Sequence, residues 1–191
     1  MIRLLASAAL LAASAVSGAT YQIDAGHSSA QFSVRHMMVS NVKGTFGNIT
    51  GSIEWDPAQP ETSKVTASID VKTIDTRQAK RDADLRSEQF FDVAKYPAMT
   101  FASKSVSKAG GKILVKGDLT MHGVTREVTL TLDDPPAEIK DPRGGYRLGA
   151  SASTRISRKE WGLTYSPVLE AGGVTIGDEV TITLDIEATR K

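Results

Sequence analysis

Strict alternation of apolar and polar residues recurs along this chain, and it restricts the fold to half-buried β-strands. From Val124 to Leu132, Val124, Val128, Leu130 and Leu132 share one face, while Thr125, Glu127, Thr129 and Thr131 share the other. The last such segment repeats the arrangement, with Val180, Ile182, Leu184 and Ile186 inward and Glu179, Thr181, Thr183, Asp185 and Glu187 outward. The same parity assigns inward faces to Val65, Ala67, Ile69 and Val71, to Ile113, Val115, Gly117 and Leu119, and to Leu148, Ala150, Ala152 and Ile156. Ala30, Phe32, Val34 and His36 form another set, as do Ile49, Ile53 and Trp55, whose glycines Gly47 and Gly51 suggest a bulge or bend. A further strand begins at Met99 and Phe101, after Pro97.

These segments amount to about eight strands, joined mostly by short turns such as Asp56-Pro57, Gly110-Gly111 and Gly144-Gly145. Eight strands suffice to close a barrel, which leaves no exposed edges. The expected fold is all-β, an extended eight-stranded antiparallel barrel. One stretch breaks the alternation, from Asp75 to Phe91, where one or two short helices are expected after a cap at Asp75 or Thr76. Its mixed charges, Arg77, Lys80, Arg81 and Arg86 with Asp82, Asp84 and Glu88, fit a solvated face or a lid over one mouth of the barrel.

A barrel of this size is either filled by side chains or holds one small ligand. Ala30, Ala67, Gly117, Ala150 and Ala152 are small residues at inward positions where a filled barrel calls for Leu, Ile or Phe, so an aliphatic tunnel is expected. Met37-Met38 and Phe90-Phe91 are read as core packing or as soft contacts at a ligand mouth. Trp55 and Trp161 are read as structural anchors.

The N-terminal stretch stands apart. Arg3 precedes an apolar run from Leu4 to Val16, and Ser17-Gly18-Ala19 supplies the small residues of a leader-peptide cut. The run is shorter than the roughly 20 residues a spanning helix needs. Residues 1–19 are therefore expected to be a cleaved signal peptide and 20–191 a single exported domain, in the periplasm of a two-membrane bacterium, with no stable membrane insertion. The chain has no cysteine, so neither a disulfide nor a thiol-linked lipid is available. Of the 23 basic side chains, Arg3 alone lies in that leader, leaving 22 against 22 acidic ones, a balance that gives no support to nucleic-acid binding or to long-range steering towards an anionic membrane.

Signatures of chemistry are sparse. His27, His36 and His122 make no short metal-ligand spacing, and there is no G-x-S-x-G elbow and no phosphate-binding glycine loop. No catalytic residue, metal or cofactor is expected. The pairs Asp82/Asp84 and Asp133/Asp134 sit in a charged helix and in a turn. His36 is placed at a tunnel end, and His27 in a turn with its ring bonded to backbone. Two other readings stay open: a hydrolase or isomerase using His27 or His36 as base on an amphiphile, and a stress-related periplasmic scaffold with a filled barrel.

Ordered blocks over the whole chain resemble the YceI-like family. They are Gly26-His27-Ser28, Phe32, Val34 and His36, then Ser40-Asn-Val42-Lys-Gly44-Thr-Phe46; Leu85-Arg86-Ser87, Phe90-Phe91-Asp92, Lys95-Tyr96-Pro97 and Thr100-Phe101-Ala102-Ser103; and Gly117-Asp118-Leu119-Thr120, Gly123-Val124-Thr125 and Val128-Thr129-Leu130. The resemblance implies a lipocalin-like barrel in the periplasm whose tunnel holds a polyisoprenoid or a similar long amphiphile, without an established catalytic residue. Inward parity together with the family register makes Phe32, Val34, Ile69, Phe101, Val115, Leu119, Leu130 and Ile182 the tunnel-lining candidates. His36, Arg81 and Arg86 are candidates for the polar head of the ligand, through charge-assisted hydrogen bonds to a phosphate. Asp84 stands where family members often carry His. Pairing through a strand edge would give a homodimer.

Overall fold

The computed structural model describes residues 18–169 and 172–191. The expected leader lies outside the described residues as far as position 17; Ala19 opens the first strand. The described residues form eleven strands: β1 (Ala19–Ile23), β2 (Ser29–His36), β3 (Ser40–Phe46), β4 (Ile49–Trp55), β5 (Lys64–Asp70), β6 (Ala98–Ala109), β7 (Lys112–Met121), β8 (Val124–Leu132), β9 (Ala137–Lys140), β10 (Tyr146–Ser157) and β11 (Ile176–Arg190).

Eleven strands make eight staves. β1 runs on into β2 across a turn, and β3 into β4 across Gly47-Asn48, so the two halves of one long hairpin pair as Gln22 with Ser52 and as Ala30 with Phe46. β8 continues into β9 past the Asp133-Asp134-Pro135-Pro136 turn, because both lie along β10. Pairing is antiparallel throughout. β11 closes the ring, pairing with β10 on one side and with β2 and then β1 on the other. The result is a closed eight-stranded antiparallel barrel. Register shifts between Ser103 and Ser105 in β6 and between Ile176 and Val180 in β11 are the kind that bends a strand and helps a sheet curl.

The insert expected near 75–91 contains one α-helix among the described residues, α1 (Ala79–Arg86), preceded by a 3-10 turn at Val71–Thr73. Its cap is neither Asp75 nor Thr76. Gln78 occupies that position, its side chain accepting from the Arg81 amide at 2.7 Å. Thr76 instead donates its amide (2.9 Å) and hydroxyl (2.5 Å) to the buried Asp82 carboxylate. Burial favours the neutral form of Asp82, but those two donors and the charges of Arg86 and Arg81 hold its pKa below the usual carboxylate value.

The insert is anchored by apolar packing. Val71, Ile74 and Val93 join Phe46, Trp161 and Leu163 in a buried cluster at one end of the barrel. The other end is packed by Tyr21, Trp55, Ile113, Leu132, Leu148 and Ala188. Arg190 ties it shut: its Nε donates to the Tyr21 hydroxyl at 3.1 Å, its Nη2 meets Glu138 at 3.0 Å, and its guanidinium stacks 3.9 Å from the Tyr146 ring. Trp161 is 1% exposed and donates to the Leu119 carbonyl at 3.1 Å, as a structural anchor does, whereas Trp55, also buried, faces the barrel interior and borders its cavity.

Candidate functional site

The barrel is hollow, and residues of both clusters, Phe46 and Leu163 in one and Ile113 and Leu132 in the other, border the space. A cavity of about 440 Å³ runs along its axis, within the range of roughly 300–1,000 Å³ usual for ligand sites. The inward side chains leave this space unfilled. The wall is built by strand parity: the inward residues of β5, β7, β8, β10 and β11 reach it from their own staves, including Val65, Ile113, Leu132, Ala150 and Ile186. Many of these inward side chains are only half-buried, because they face the hollow rather than each other.

All eight residues expected along a tunnel border this cavity: Phe32, Val34, Ile69, Phe101, Val115, Leu119, Leu130 and Ile182. Of the small inward residues, Ala30, Ala67, Ala150 and Ala152 also border it. Gly117 does not leave the expected space. A Cβ there would lie 2.5 Å from the Phe101 ring, so the glycine is a seat for that ring. Gly44 serves Phe32 in the same way, with the ring 2.5 Å from the Cβ position.

At the end nearest the insert the lining turns polar, with Arg35, His36, Arg81, Asp84 and Gln89. Phe90 and Tyr165 meet there edge to face with centroids 5.3 Å apart, and both line the cavity. The insert therefore borders this end of the cavity, while Arg77, Lys80, Asp84 and Glu88 are exposed, as a solvated face requires. Phe91 turns inward against Phe46, 5.7 Å away and edge-on. Met37 and Met38 do neither of the things expected of them. They are exposed, at 46% and 53%, and lie outside the lining.

The polar-head candidates separate. His36 and Arg81 lie on the cavity, Arg81 with its Nε and Nη2 donating to the Thr76 hydroxyl (2.8 Å) and carbonyl (2.9 Å). Arg86 points elsewhere and clamps the insert, donating to the Lys72 and Ile74 carbonyls at 2.9 and 2.6 Å. Asp84 shares the mouth with Arg81.

His27 is not bonded to backbone through its ring as expected. Its Nδ1 lies 2.9 Å from an Asp24 carboxylate oxygen in an exposed turn, where nearby Glu187 is bridged by Arg147. That position is away from the cavity lining, which removes His27 as a base acting on cavity contents.

Nothing in the residue pattern singles out Arg158. It is buried at the cavity wall, and its guanidinium donates to three backbone carbonyls, Gly177 at 2.8 Å, Ile176 at 3.2 Å and Leu163. Burial pushes its pKa down, and the negative charge of Asp178 counters part of that.

A closed antiparallel barrel with an axial apolar cavity and a polar mouth defines a lipocalin-like class. The chain belongs to the YceI-like family, whose domain model matches residues 21–188. A UPF0312 protein of Photorhabdus laumondii is 40% identical over 163 residues, 84% of each chain. Among solved structures, Burkholderia cenocepacia BcnA superposes with a TM-score of 0.73 at 22% identity, over 87% of this chain and 99% of that one. A polyisoprenoid binding domain from Saccharophagus degradans, implicated in plant cell wall breakdown, superposes with a TM-score of 0.62 at 17% identity, over 90% and 98%.

Proposed function

We propose that this protein binds one long, mostly hydrocarbon amphiphile in the barrel, of the isoprenoid type, and carries or sequesters it without reaction. The observation that carries this reading is the division of the cavity. Its length is walled mostly by aliphatic and aromatic side chains, interrupted by the polar side chains of Gln31, Ser63 and Thr154, while its charged groups, Arg35, Arg81, Asp84 and Arg158, lie with His36 and Gln89 toward the insert. An apolar chain with one polar terminus matches that division. Each methylene removed from water contributes about 0.8 kcal/mol, so affinity grows with chain length. A repeated branched hydrocarbon needs no polar recognition along the wall. The polyisoprenoid-binding neighbour supports the same ligand class.

The apolar run Leu4 to Val16, followed by small residues, supports export, and the periplasm is the compartment we assign to the loaded protein. Cell fractionation with intact mass measurement checks this: the expected species begins at Thr20 and is released with the periplasmic fraction. Organic extraction of natively expressed protein, followed by mass spectrometry, tests the ligand. A stoichiometric long-chain amphiphile is expected; extracts holding none in repeated preparations would refute the binding reading.

A further inference from the structure

Arg158 is a cation built into the cavity wall, and the barrel does not engage all of it. The residue is 5% exposed and borders the cavity beside Leu163 and Ile176, whose carbonyls it binds together with that of Gly177. These acceptors take three of the five N–H groups of a guanidinium, so Nη1 and Nη2 each keep one that no protein acceptor binds. All three acceptors are neutral. Among the described residues Arg158 forms no ion pair. Asp178, whose charge acts on it, is engaged elsewhere: its carboxylate accepts from the Ser157 hydroxyl at 2.8 Å and the Lys159 amide at 3.3 Å.

The other charges at this end are offset or wet. Arg81 and Asp84 stand one turn apart on α1 at the mouth, and the exposed Arg35 shares an outer groove with Asp178 and Glu179. Arg158 differs by its burial. Hydrogen bonds from a buried guanidinium are strengthened by the low local dielectric, and a charged acceptor makes them roughly twice as strong as a neutral one. We propose that Arg158 makes the cavity select chains that end in an acid, a carboxylate or a phosphate, over neutral chains of the same hydrocarbon. The acid's oxygens accept from the Nη1 and Nη2 hydrogens that the carbonyls leave, and its negative charge offsets the buried cation. The hydrocarbon then lies along the apolar wall. This inference rests on the function proposed above and narrows its ligand to an acid.

Three ligands that share one isoprenoid chain test this: geranylgeraniol, geranylgeranoic acid and geranylgeranyl phosphate, each displacing N-phenyl-1-naphthylamine from the wild-type protein at neutral pH. At least one acid should displace the probe at about a tenfold lower concentration than the alcohol, as a charge-assisted hydrogen bond provides. The acid that does so identifies the head group. The preference should persist in about 1 M salt, because buried charges are screened far less than exposed ones. In Arg158→Gln, shown to unfold cooperatively, the ratio of acid to alcohol affinity should fall to about one. Where that variant does not fold, the wild-type comparison and its salt dependence decide. An alcohol that displaces the probe as well as both acids overturns the selection and leaves the cargo reading standing. An acid preference that salt removes, or that a folded Arg158→Gln retains, overturns the role of Arg158. Failure of all three ligands to displace the probe refutes the cargo reading and this inference with it.

Discussion

The Phe101 ring lies across Gly117 on the neighbouring strand, so close that a Cβ on the glycine would stand 2.5 Å from the ring and 2.5 Å from the Ala102 carbonyl oxygen. One of these neighbours is backbone and cannot swing aside. Gly117→Ala should therefore destabilise the protein by about 1–3 kcal/mol through overpacking, read as a lowered urea midpoint with an unchanged slope.

Arg158 binds three backbone carbonyls. In Arg158→Leu the Ile176 carbonyl keeps the Ser166 hydroxyl at 2.9 Å, but the Leu163 and Gly177 carbonyls lose this donor, and the variant should cost at least about 2 kcal/mol, since each buried acceptor left unpaired costs roughly 1–3 kcal/mol. Arg158→Lys should rescue little, because one ammonium cannot span the three positions of the planar fork. Urea unfolding of both variants checks this.

Asp82 links stability to pH. Its folded pKa is depressed, so its contribution is complete above the unfolded value of about 3.9 and is lost as pH falls through the folded value. Asp82→Asn should lower the urea midpoint at pH 6 and show a smaller further fall between pH 4 and pH 2 than the wild type, because the titrating group is gone. Equal acid limbs in both proteins would contradict this assignment.

Much of the barrel is legible in the sequence because burial on one face of a strand imposes period 2, as in Val180, Ile182, Leu184 and Ile186. The strands that escape this reading have weak faces. β9, Ala-Glu-Ile-Lys, is exposed at every position and carries no pattern. β3 carries its alternation through Val42, Gly44 and Phe46, where the glycine conceals an inward site filled by the Phe32 ring of the facing strand. β1 directly follows the apolar run from Leu4 to Val16, whose composition masks it. The cavity wall follows from parity, so its residues were within reach. The groups at its polar end were not, because helix position does not say which way a long side chain turns. Arg81 reaches the mouth and Arg86 clamps the backbone. Arg158, inside the string Ser157-Arg-Lys-Glu160, looks like any solvated charge until the fold closes over it.

The central claim is that the cavity takes one long apolar molecule, and competitive fluorescence titration measures it most directly. N-phenyl-1-naphthylamine should bind saturably at one site per chain and be displaced by a long-chain polyisoprenol. Leu119→Asp, which places a carboxylate on the cavity wall, should abolish probe binding while the barrel still unfolds cooperatively. Absence of saturable binding to the wild-type protein, or full binding by a folded Leu119→Asp variant, would contradict the account.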